Sequence, residues 1–288
     1  MTDTVKKPMS KKKKIAIIVL SILAGLIVLV VIAGAIALNW YCTPKDYEIV
    51  SSDKNITLVA HRGFRGVAPE NTEPAFLKAG QAGFWGAECD TYRTADGVWV
   101  IEHDPVTYRM HGGVKNIEKL TYDELYNMPI TNGVDIENYA DLRICTLDTY
   151  LSICKDYGMT PVIELKGKNN TEHYGEIIDL VAKYDLEAIY ISFEFENIKA
   201  LREVTNAKLF YLVKEITDED IALAKSIDNC GIDFDGNKEK NFENGMIAKC
   251  QEEGLELGAW TIDELEVVDK LVENGVTLIT TNAIEPAK

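Results

Sequence analysis

Short apolar runs alternate with helical patterns along most of this chain. Eight runs predict β-strands: ITLVAH (56–61), WGAECDTY (85–92), TPVIEL (160–165), AIYISF (188–193), KLFYLV (208–213), CGIDFD (230–235), LELGAW (255–260) and VTLITT (276–281). Between them apolar residues recur at helical spacing, for example over 71–83, 175–185 and 262–275. Asn71 or Thr72 is the expected N-cap of the first of these helices. Such alternation predicts a parallel sheet covered by helices.

Two observations favour a closed (β/α)8 barrel, the TIM barrel, over an open doubly wound sheet. Eight strands between residues 56 and 288 suit the usual barrel size of about 250 residues. No Gly-x-Gly-x-x-Gly follows any strand, as a dinucleotide-binding sheet would require. Residues 104–145 contain no clear barrel strand, and we expect a loop-rich insertion over the mouth with a helix near 121–127.

A hairpin is predicted where Asp96-Gly97 separates two β-prone runs. If these two residues form the turn, Ala95 pairs with Val98 and Asp90 pairs with His103. The second barrel strand would then fold back on itself and return His103 to the level of Asp90.

The amino-terminal region predicts a membrane helix. Residues 15–38 carry no charge and follow the basic run Lys11–Lys14, and about 20 apolar residues span a bilayer. The positive-inside rule leaves the amino terminus in the cytoplasm and the body outside. The alternative is a signal peptide cleaved after Ala35-Ile36-Ala37, but the apolar run exceeds the usual 7–15 residues of such a segment. An uncleaved single-pass anchor is therefore favoured.

Charge and cysteine content exclude two kinds of partner. The net charge is −16, with 46 acidic and 30 basic residues, which argues against a nucleic-acid surface. The six cysteines have no Cys-x-x-Cys spacing, so a zinc site is not expected. We expect them to pack as small apolar residues, and their disulfide state is left open.

Polar side chains fall at the carboxyl ends of the predicted strands, where barrels of this kind carry their active sites. The i, i+2 spacing of paired residues places both on one face of a strand. These residues are His61 and Arg62 after the first strand, Glu88 and Asp90 on the second, Glu164 and Lys166 on the third, and Trp260 on the seventh.

Three carboxylates at one mouth repel one another unless they share protons, pair with cations or hold a metal. Oxygen ligands in that number suit Mg²⁺ or Ca²⁺ rather than zinc. Together with His103, the cleft combines charge neutralisation, a base and an acid, which phosphodiester cleavage needs. Each residue alone also fits an ordinary structural role, so the prediction rests on their joint placement.

The ordered motifs HRG…PENTEPAF, ECDTYRTADG, IEHDP, IELK and WTID, from about Leu58 to Thr281, resemble those of the glycerophosphodiester phosphodiesterases. The resemblance implies a (β/α)8 barrel with a small insertion that hydrolyses glycerophosphodiesters to glycerol 3-phosphate and an alcohol. It implies an acid/base pair of His61 and His103, metal ligands Glu88, Asp90 and Glu164, and phosphate-side cations Arg62 and Lys166. Trp260 is a further candidate for substrate contact, and Glu70 and Asn71 are expected to shape the first loop near the metal.

Three positions depart from the usual residues of that family. Pro is common where Cys145 stands, Asn where Asp263 stands, and Asp where Asn282 stands. We expect these positions to lie around the barrel rim, to leave catalysis intact and to bear on the preference for the alcohol.

The predicted organisation is a basic cytoplasmic tail (1–14), a transmembrane helix (15–38), a linker (39–55) and the barrel (56–288), with the barrel outside the cytoplasm. The expected partners are a small-molecule or lipid-derived phosphodiester and the membrane, with no obligate protein partner evident.

Alternative functions are lysophospholipase D-like activity, polyglycerol-phosphate hydrolysis, or a non-catalytic barrel that serves as a binding or scaffold domain. The complete set of acids, bases and cations argues against the scaffold. The metal, the alcohol and the oligomeric state are left open.

Overall fold

The computed structural model describes residues 9–287, except for the side chains of residues 15 and 16. Residues 1–8 of the predicted basic tail lie outside the described part. The chain divides into two compact units, Met1–Thr43 and Pro44–Lys288.

The first unit contains one long helix, α1 (Lys11–Cys42), of 32 residues. The side chain of Ser10 caps it by accepting a hydrogen bond from the backbone N–H of Lys13. Its length and a mean hydropathy of 3.4 suffice to cross a bilayer, although a signal sequence has the same character. It is a candidate membrane span that extends beyond the predicted 15–38 at both ends.

A closed barrel of eight parallel strands forms the second unit. The strands of this unit are β1 (Val50–Ser52), β2 (Thr57–Ala60), β3 (Gly86–Arg93), β4 (Trp99–Ile101), β5 (Cys145–Thr146), β6 (Thr160–Leu165), β7 (Ile189–Ser192), β8 (Leu209–Val213), β9 (Cys230–Asp235), β10 (Leu257–Trp260), β11 (Leu278–Thr281) and β12 (Ile284–Pro286). Around the barrel the neighbouring strands are β2, β11, β10, β9, β8, β7, β6 and β3, and β3 pairs again with β2. The (β/α)8 prediction is therefore confirmed.

Alternation along the strands separates two apolar layers. Buried residues such as Val59, Val162 and Phe210 form one cluster, while residues such as Cys89 and Ile163 join the larger core that includes helical residues. All six cysteines are free, and five of them are buried.

Helices cover the outside of the barrel, and several of them begin at a polar side-chain cap. Thr72, not Asn71, caps the first of them by accepting a hydrogen bond from Ala75 N–H, and Thr146 and Thr217 cap two others in the same way. The helices of this unit are α2 (Glu73–Ala82), α3 (Tyr108–His111), α4 (Tyr122–Tyr126), α5 (Leu147–Tyr157), α6 (Tyr174–Lys183), α7 (Phe195–Val204), α8 (Asp218–Lys225), α9 (Glu239–Glu243), α10 (Met246–Glu252) and α11 (Leu265–Glu273).

The hairpin between β3 and β4 forms, but the predicted register is wrong by one residue. Arg93 pairs with Trp99, and the backbone N–H of Glu102, not that of His103, donates to the carbonyl of Asp90 at 3.0 Å. The turn contains three residues, 95–97, because Gly97 takes a left-handed φ of 89° and donates to the Thr94 carbonyl. His103 therefore lies just beyond the end of the paired segment.

Residues 104–145 pack against the β3–β4 hairpin around a small core that both share, made of Tyr92 and Val100 from the hairpin and Ile117, Leu120, Leu125 and Ile144 from the segment. The helix expected near 121–127 is α4. It begins after a capping box formed by Thr121 and Glu124. β5 follows and pairs antiparallel with β4.

The segment expected to be a linker, 39–55, is partly regular, because α1 continues to Cys42 and β1 pairs with β12.

Tyr150 supplies a hydrogen-bond link between β3 and β6 that yields a test of the fold. Its buried hydroxyl donates to the Ala87 carbonyl at 2.6 Å and accepts from Val162 N–H at 3.1 Å, beside Pro161, which has no N–H. We expect Tyr150→Phe to destabilise the barrel by roughly 2–4 kcal/mol, because two buried backbone groups lose their partner. Urea unfolding of the full chain in detergent measures this.

The matched control is Tyr157→Phe on the same helix, whose side chain is 41% exposed. Equal stability of Tyr150→Phe and the control would contradict the role given to the Tyr150 hydroxyl.

Candidate active site

Three buried carboxylates meet at the carboxyl ends of two adjacent strands. Asp90 on β3 is in register with Glu164 on β6, and Glu88 precedes Asp90 by two residues on the same face. One oxygen from each of the three lies within 4.8 Å of the others. The structure therefore brings Glu88, Asp90 and Glu164 together, as the alternation of side chains along the strands predicts.

Asp90 is the carboxylate with the most partners. Lys166 Nζ lies 2.9 Å from its Oδ1 and Arg62 Nε lies 3.3 Å from its Oδ2, while Asn71 Nδ2 donates to Oδ2 at 2.7 Å. Burial alone would raise the pKa of Asp90, but Lys166 and Arg62 outweigh it and hold that pKa well below its usual range. Asp90 is therefore ionised, and its neighbours are arranged around its charge.

Glu88 and Glu164 are less well compensated. Burial, and then the charges of Asp90 and Glu164, raise the pKa of Glu88 well above its ordinary value. Burial also raises the pKa of Glu164 to about 7, although Lys166, 2.7 Å from its Oε1, opposes the shift.

The three carboxylates fit a divalent cation. Arg62 donates its backbone N–H to Glu88 Oε2 at 2.8 Å, but Glu88 Oε1 is buried without a hydrogen-bond partner among the described residues. A buried, unsatisfied oxygen beside two further carboxylates is a suitable ligand for a hard cation such as Mg²⁺ or Ca²⁺.

His61 follows β2 directly and is half-buried. Its Nδ1 lies 2.7 Å from Asn282 Oδ1. Burial, followed by the positive charges of Arg62 and Arg65, lowers the pKa of His61 well below its ordinary value, against the smaller opposing effects of Asn282 and Asp90. His61 is therefore neutral at physiological pH.

His103 contacts a carboxylate instead. Its Nδ1 lies 2.8 Å from Asp104 Oδ1, and Arg109 Nε lies 2.7 Å from the other oxygen of Asp104. The charge of His103 also contributes to the low pKa of Asp90. Asp90 in turn acts on His61, where its negative charge opposes the lowering of the pKa of that imidazole.

Glu70 connects the two sides of the mouth. Arg62 and Arg109 both contact its Oε1, at 2.8 and 2.7 Å, and Arg65 contacts its Oε2 at 2.8 Å. Glu70 is 6% exposed, so these cations compensate a buried charge, and they hold its pKa well below the ordinary value against the effect of burial. Glu70 is thus a junction of ion pairs, beyond the loop-shaping role expected from the sequence.

Among the residues that the structure describes, Trp260 at the end of β10 makes no hydrogen bond to any of the three carboxylates. Its indole N–H donates to the Asp233 carbonyl at 3.2 Å, and its ring meets that of Phe193 edge to face at 5.3 Å. A phosphate contact through the indole N–H would compete with Asp233, whereas the ring offers apolar contact.

Sequence reasoning missed several of these residues. A sequence signal for Asp104 exists, because this residue follows His103 directly in the motif IEHDP. No motif in the sequence identifies Arg109, five residues after Asp104. The sequence predicts Asn282 on the rim, with a bearing on the alcohol, whereas the structure brings its side chain against His61.

Comparison with known proteins gives the same picture for the barrel. A model of the "Glycerophosphoryl diester phosphodiesterase family" matches residues 61–286. Human glycerophosphodiester phosphodiesterase 1 is 30% identical over 121 residues, which are 42% of this chain and 37% of the human protein, so this chain spans little more than a third of that relative. A glycerophosphodiester phosphodiesterase of Caldanaerobacter subterraneus subsp. tengcongensis is 26% identical over 235 residues, 78% of this chain and 93% of that protein.

Solved structures share the fold at low identity. An Oleispira antarctica phosphodiesterase, in complex with its product sn-glycerol-3-phosphate, has a TM-score of 0.73 at 24% identity and covers 81% of this chain and 96% of its own. The glycerophosphodiester phosphodiesterase of Thermotoga maritima has a TM-score of 0.64 at 22% identity, covering 81% of this chain and 96% of its own. Because the family model covers every candidate site residue and most of the chain, the protein belongs to the glycerophosphoryl diester phosphodiesterase family.

Proposed function

We propose that this protein hydrolyses a glycerophosphodiester to glycerol 3-phosphate and an alcohol. The observation that carries the proposal is the meeting of three buried carboxylates between two histidines. His61 adjoins Arg62, whose backbone N–H donates to Glu88, and His103 adjoins Glu102, whose backbone N–H donates to the Asp90 carbonyl. Membership of the family supports the reaction class, and the product bound to the Oleispira antarctica phosphodiesterase supports the same product here.

Glu88, Asp90 and Glu164 are the proposed ligands of a divalent cation, Mg²⁺ or Ca²⁺. When bound, such an ion supplies positive charge that stabilises the negative charge developing on phosphate oxygens. Arg62 and Lys166 are the proposed phosphate-side cations, since both already lie against Asp90 and place positive charge at the same edge of the cluster.

The surroundings of the two histidines suit them to opposite roles. His61 is neutral and faces an amide, so its Nε2 can accept the proton of an attacking water. His103 is held at Nδ1 by the carboxylate of Asp104, and we assign it the transfer of a proton to the leaving oxygen. The water oxygen bonds to phosphorus, the bond from phosphorus to the alcohol oxygen breaks, and each proton moves through one histidine.

We expect activity on glycerophosphodiesters to require a divalent cation, because Glu88 and Glu164 lack full compensation by the protein's own cations. Chelation should abolish turnover, and Mg²⁺ or Ca²⁺ should restore it. Glu164→Gln should weaken the binding of the ion in calorimetry, whereas the control Glu172→Gln, on an exposed side chain, should not. Full activity after removal of tightly bound metal would exclude the ion from the mechanism.

We expect His61→Ala and His103→Ala each to lower kcat by at least about 10²-fold, the usual contribution of general acid–base catalysis. His173→Ala, on a side chain that pairs with Glu176 at the start of α6, serves as the control and should retain activity. A histidine that can be removed with no change in kcat does not have the role proposed for it.

The pH profile tests the protonation state of His61 separately. Activity is lost on acidification when the base gains a proton, so a lowered pKa moves that loss to lower pH. We expect the acidic limb of kcat/KM to fall well below the ordinary histidine value of about 6.5. The assignment of a neutral His61 would be reversed if the acidic limb of the wild-type enzyme had a pKa at or above about 6.5 and this limb were missing from the profile of His61→Ala.

The substrate's alcohol is the part of the proposal with a specific alternative. Phe193 is 39% exposed and meets Trp260 at the mouth, which favours an apolar or lipid-derived group beside the phosphate and supports the proposed role of Trp260 in substrate binding. Lysophospholipids are therefore a second candidate class. A panel of glycerophosphodiesters, lysolipids and polyglycerol phosphates, assayed with and without chelator and with identification of the products, separates these possibilities and the non-catalytic scaffold.

We propose further that α1 anchors the protein in the cell membrane with the barrel outside the cytoplasm, because Lys11–Lys14 directly precede the apolar residues. Protease added to spheroplasts should digest the barrel, and an amino-terminal tag should remain attached to the protein and protected. A protected barrel would reverse the topology, and loss of the tag from the mature protein would indicate a cleaved signal sequence.

A further inference from the structure

A carboxylate and an amide lie in series behind His61. Asn282, which follows β11, places Oδ1 2.7 Å from His61 Nδ1 and donates from Nδ2 to Asp263 Oδ2 at 2.7 Å. Asp263 belongs to the loop between β10 and α11. The carboxylate therefore reaches the histidine only through the amide.

The contacts of Asp263 determine which way the amide of Asn282 points. Its Oδ1 accepts from the backbone N–H of Asn282 at 2.8 Å and from the hydroxyl of Thr281 at 3.2 Å. An ionised carboxylate only accepts hydrogen bonds, so the NH₂ group of Asn282 must face Asp263 and its oxygen must face His61.

An oxygen at Nδ1 in turn determines the tautomer of a neutral imidazole. The amide oxygen is an acceptor, so Nδ1 of His61 must carry the proton and Nε2 must carry the lone pair. A neutral His61 can act as a base toward substrate only through Nε2 in this arrangement. The Asp263 carboxylate, which lies two hydrogen bonds from the imidazole, thereby controls which ring nitrogen is reactive.

We propose that Asp263 is a positioning residue, which acts through Asn282 to fix the Nδ1-protonated tautomer and the ring orientation of His61. This inference rests on the proposed function, in which His61 is the base. It differs from a purely structural role, in which Asp263 would only fasten the loop after β10 to the end of β11.

Asp263→Asn separates these roles. The new side chain can keep its oxygen toward the backbone N–H of Asn282, and its NH₂ group then faces the amide of Asn282. That amide must turn over to accept from it, which presents NH₂ to His61 and favours the wrong tautomer. We expect kcat to fall by about 10²–10⁴-fold, which is the loss of rate typical of a catalytic histidine held in the wrong tautomer. KM should change little.

The double variant Asp263→Asn/Asn282→Asp restores the order of donors and acceptors. Its amide at position 263 donates to the new carboxylate at 282, which accepts from His61 Nδ1. We expect most of the lost kcat to return. The acidic limb of the pH profile should also move to higher pH than in the wild type, because a negative charge now adjoins His61.

The other charges that face His61 remain the same in both variants. They are Arg62 and Arg65 in the loop after β2, and Asp90 on β3. Asp269→Asn on α11 is the matched control, because it removes a carboxylate that pairs with Lys54 and has no contact with His61; its activity should equal that of the wild type.

The tautomer can be measured without an assay of activity. The chain has four histidines, so selective ¹⁵N labelling of histidine in the full-length protein in detergent, with His61→Ala to assign the signal, reports which ring nitrogen carries the proton. We expect the Nδ1-protonated form in the wild type and the double variant, and the Nε2-protonated form in Asp263→Asn.

These readouts separate failure of the inference from failure of the proposed function. A wild type that hydrolyses no phosphodiester but shows the expected tautomers would refute the function and leave the positioning intact. An Nε2-protonated wild type would overturn the positioning role. The positioning role would also be overturned if Asp263→Asn kept the wild-type tautomer and an undiminished kcat. The same conclusion would follow if the double variant recovered neither the Nδ1-protonated tautomer nor kcat.

Discussion

Carboxylates buried at the mouth of the barrel require positive charge beside them, and the remaining features of the site follow from this constraint. A buried ion without a partner costs several kcal/mol, which exceeds what most single contacts contribute. Asp90 is 1% exposed and is surrounded by Lys166, Arg62 and Asn71, each from a segment that follows or adjoins a strand end. The charge of one aspartate therefore fixes the positions of two loops, the one between β2 and α2 and the one after β6.

The same constraint explains an unusual backbone at Arg62. Its φ is 56°, a left-handed conformation that non-glycine residues seldom adopt. In that conformation its N–H donates to Glu88 while its guanidinium contacts Asp90 and Glu70. The hydrogen bonds to buried acids offset the strain, which is typical of residues at functional sites.

The sequence predicts the barrel and the members of the carboxylate cluster well, because both depend on local periodicity. Alternation places Glu88 and Asp90 on one face, and parallel strands bring Glu164 beside them. The register of the hairpin was not accessible in this way, since Asp96-Gly97 is compatible with turns of two or three residues and only Gly97's conformation decides between them.

Contacts between loops are the part that sequence does not determine. Arg109 reaches Asp104 and Glu70 from α3, and Asn282 reaches His61 from the end of the last barrel strand. Such pairs depend on the path of the chain in three dimensions, and neither periodicity nor spacing along the sequence records that path.

Glu70 and its arginines also limit how this barrel can change during evolution or engineering. Residues 104–145 resemble an exchangeable insertion, because they pack around a small core, separate from the main one, that they share with the β3–β4 hairpin. Yet this segment supplies Asp104 and Arg109, which connect His103 to Glu70 and the opposite side of the mouth. A graft that replaced the segment with one from another barrel, in order to change which alcohol is accepted, would have to carry equivalent ion pairs with it. Substrate choice and catalytic competence are thus inherited together.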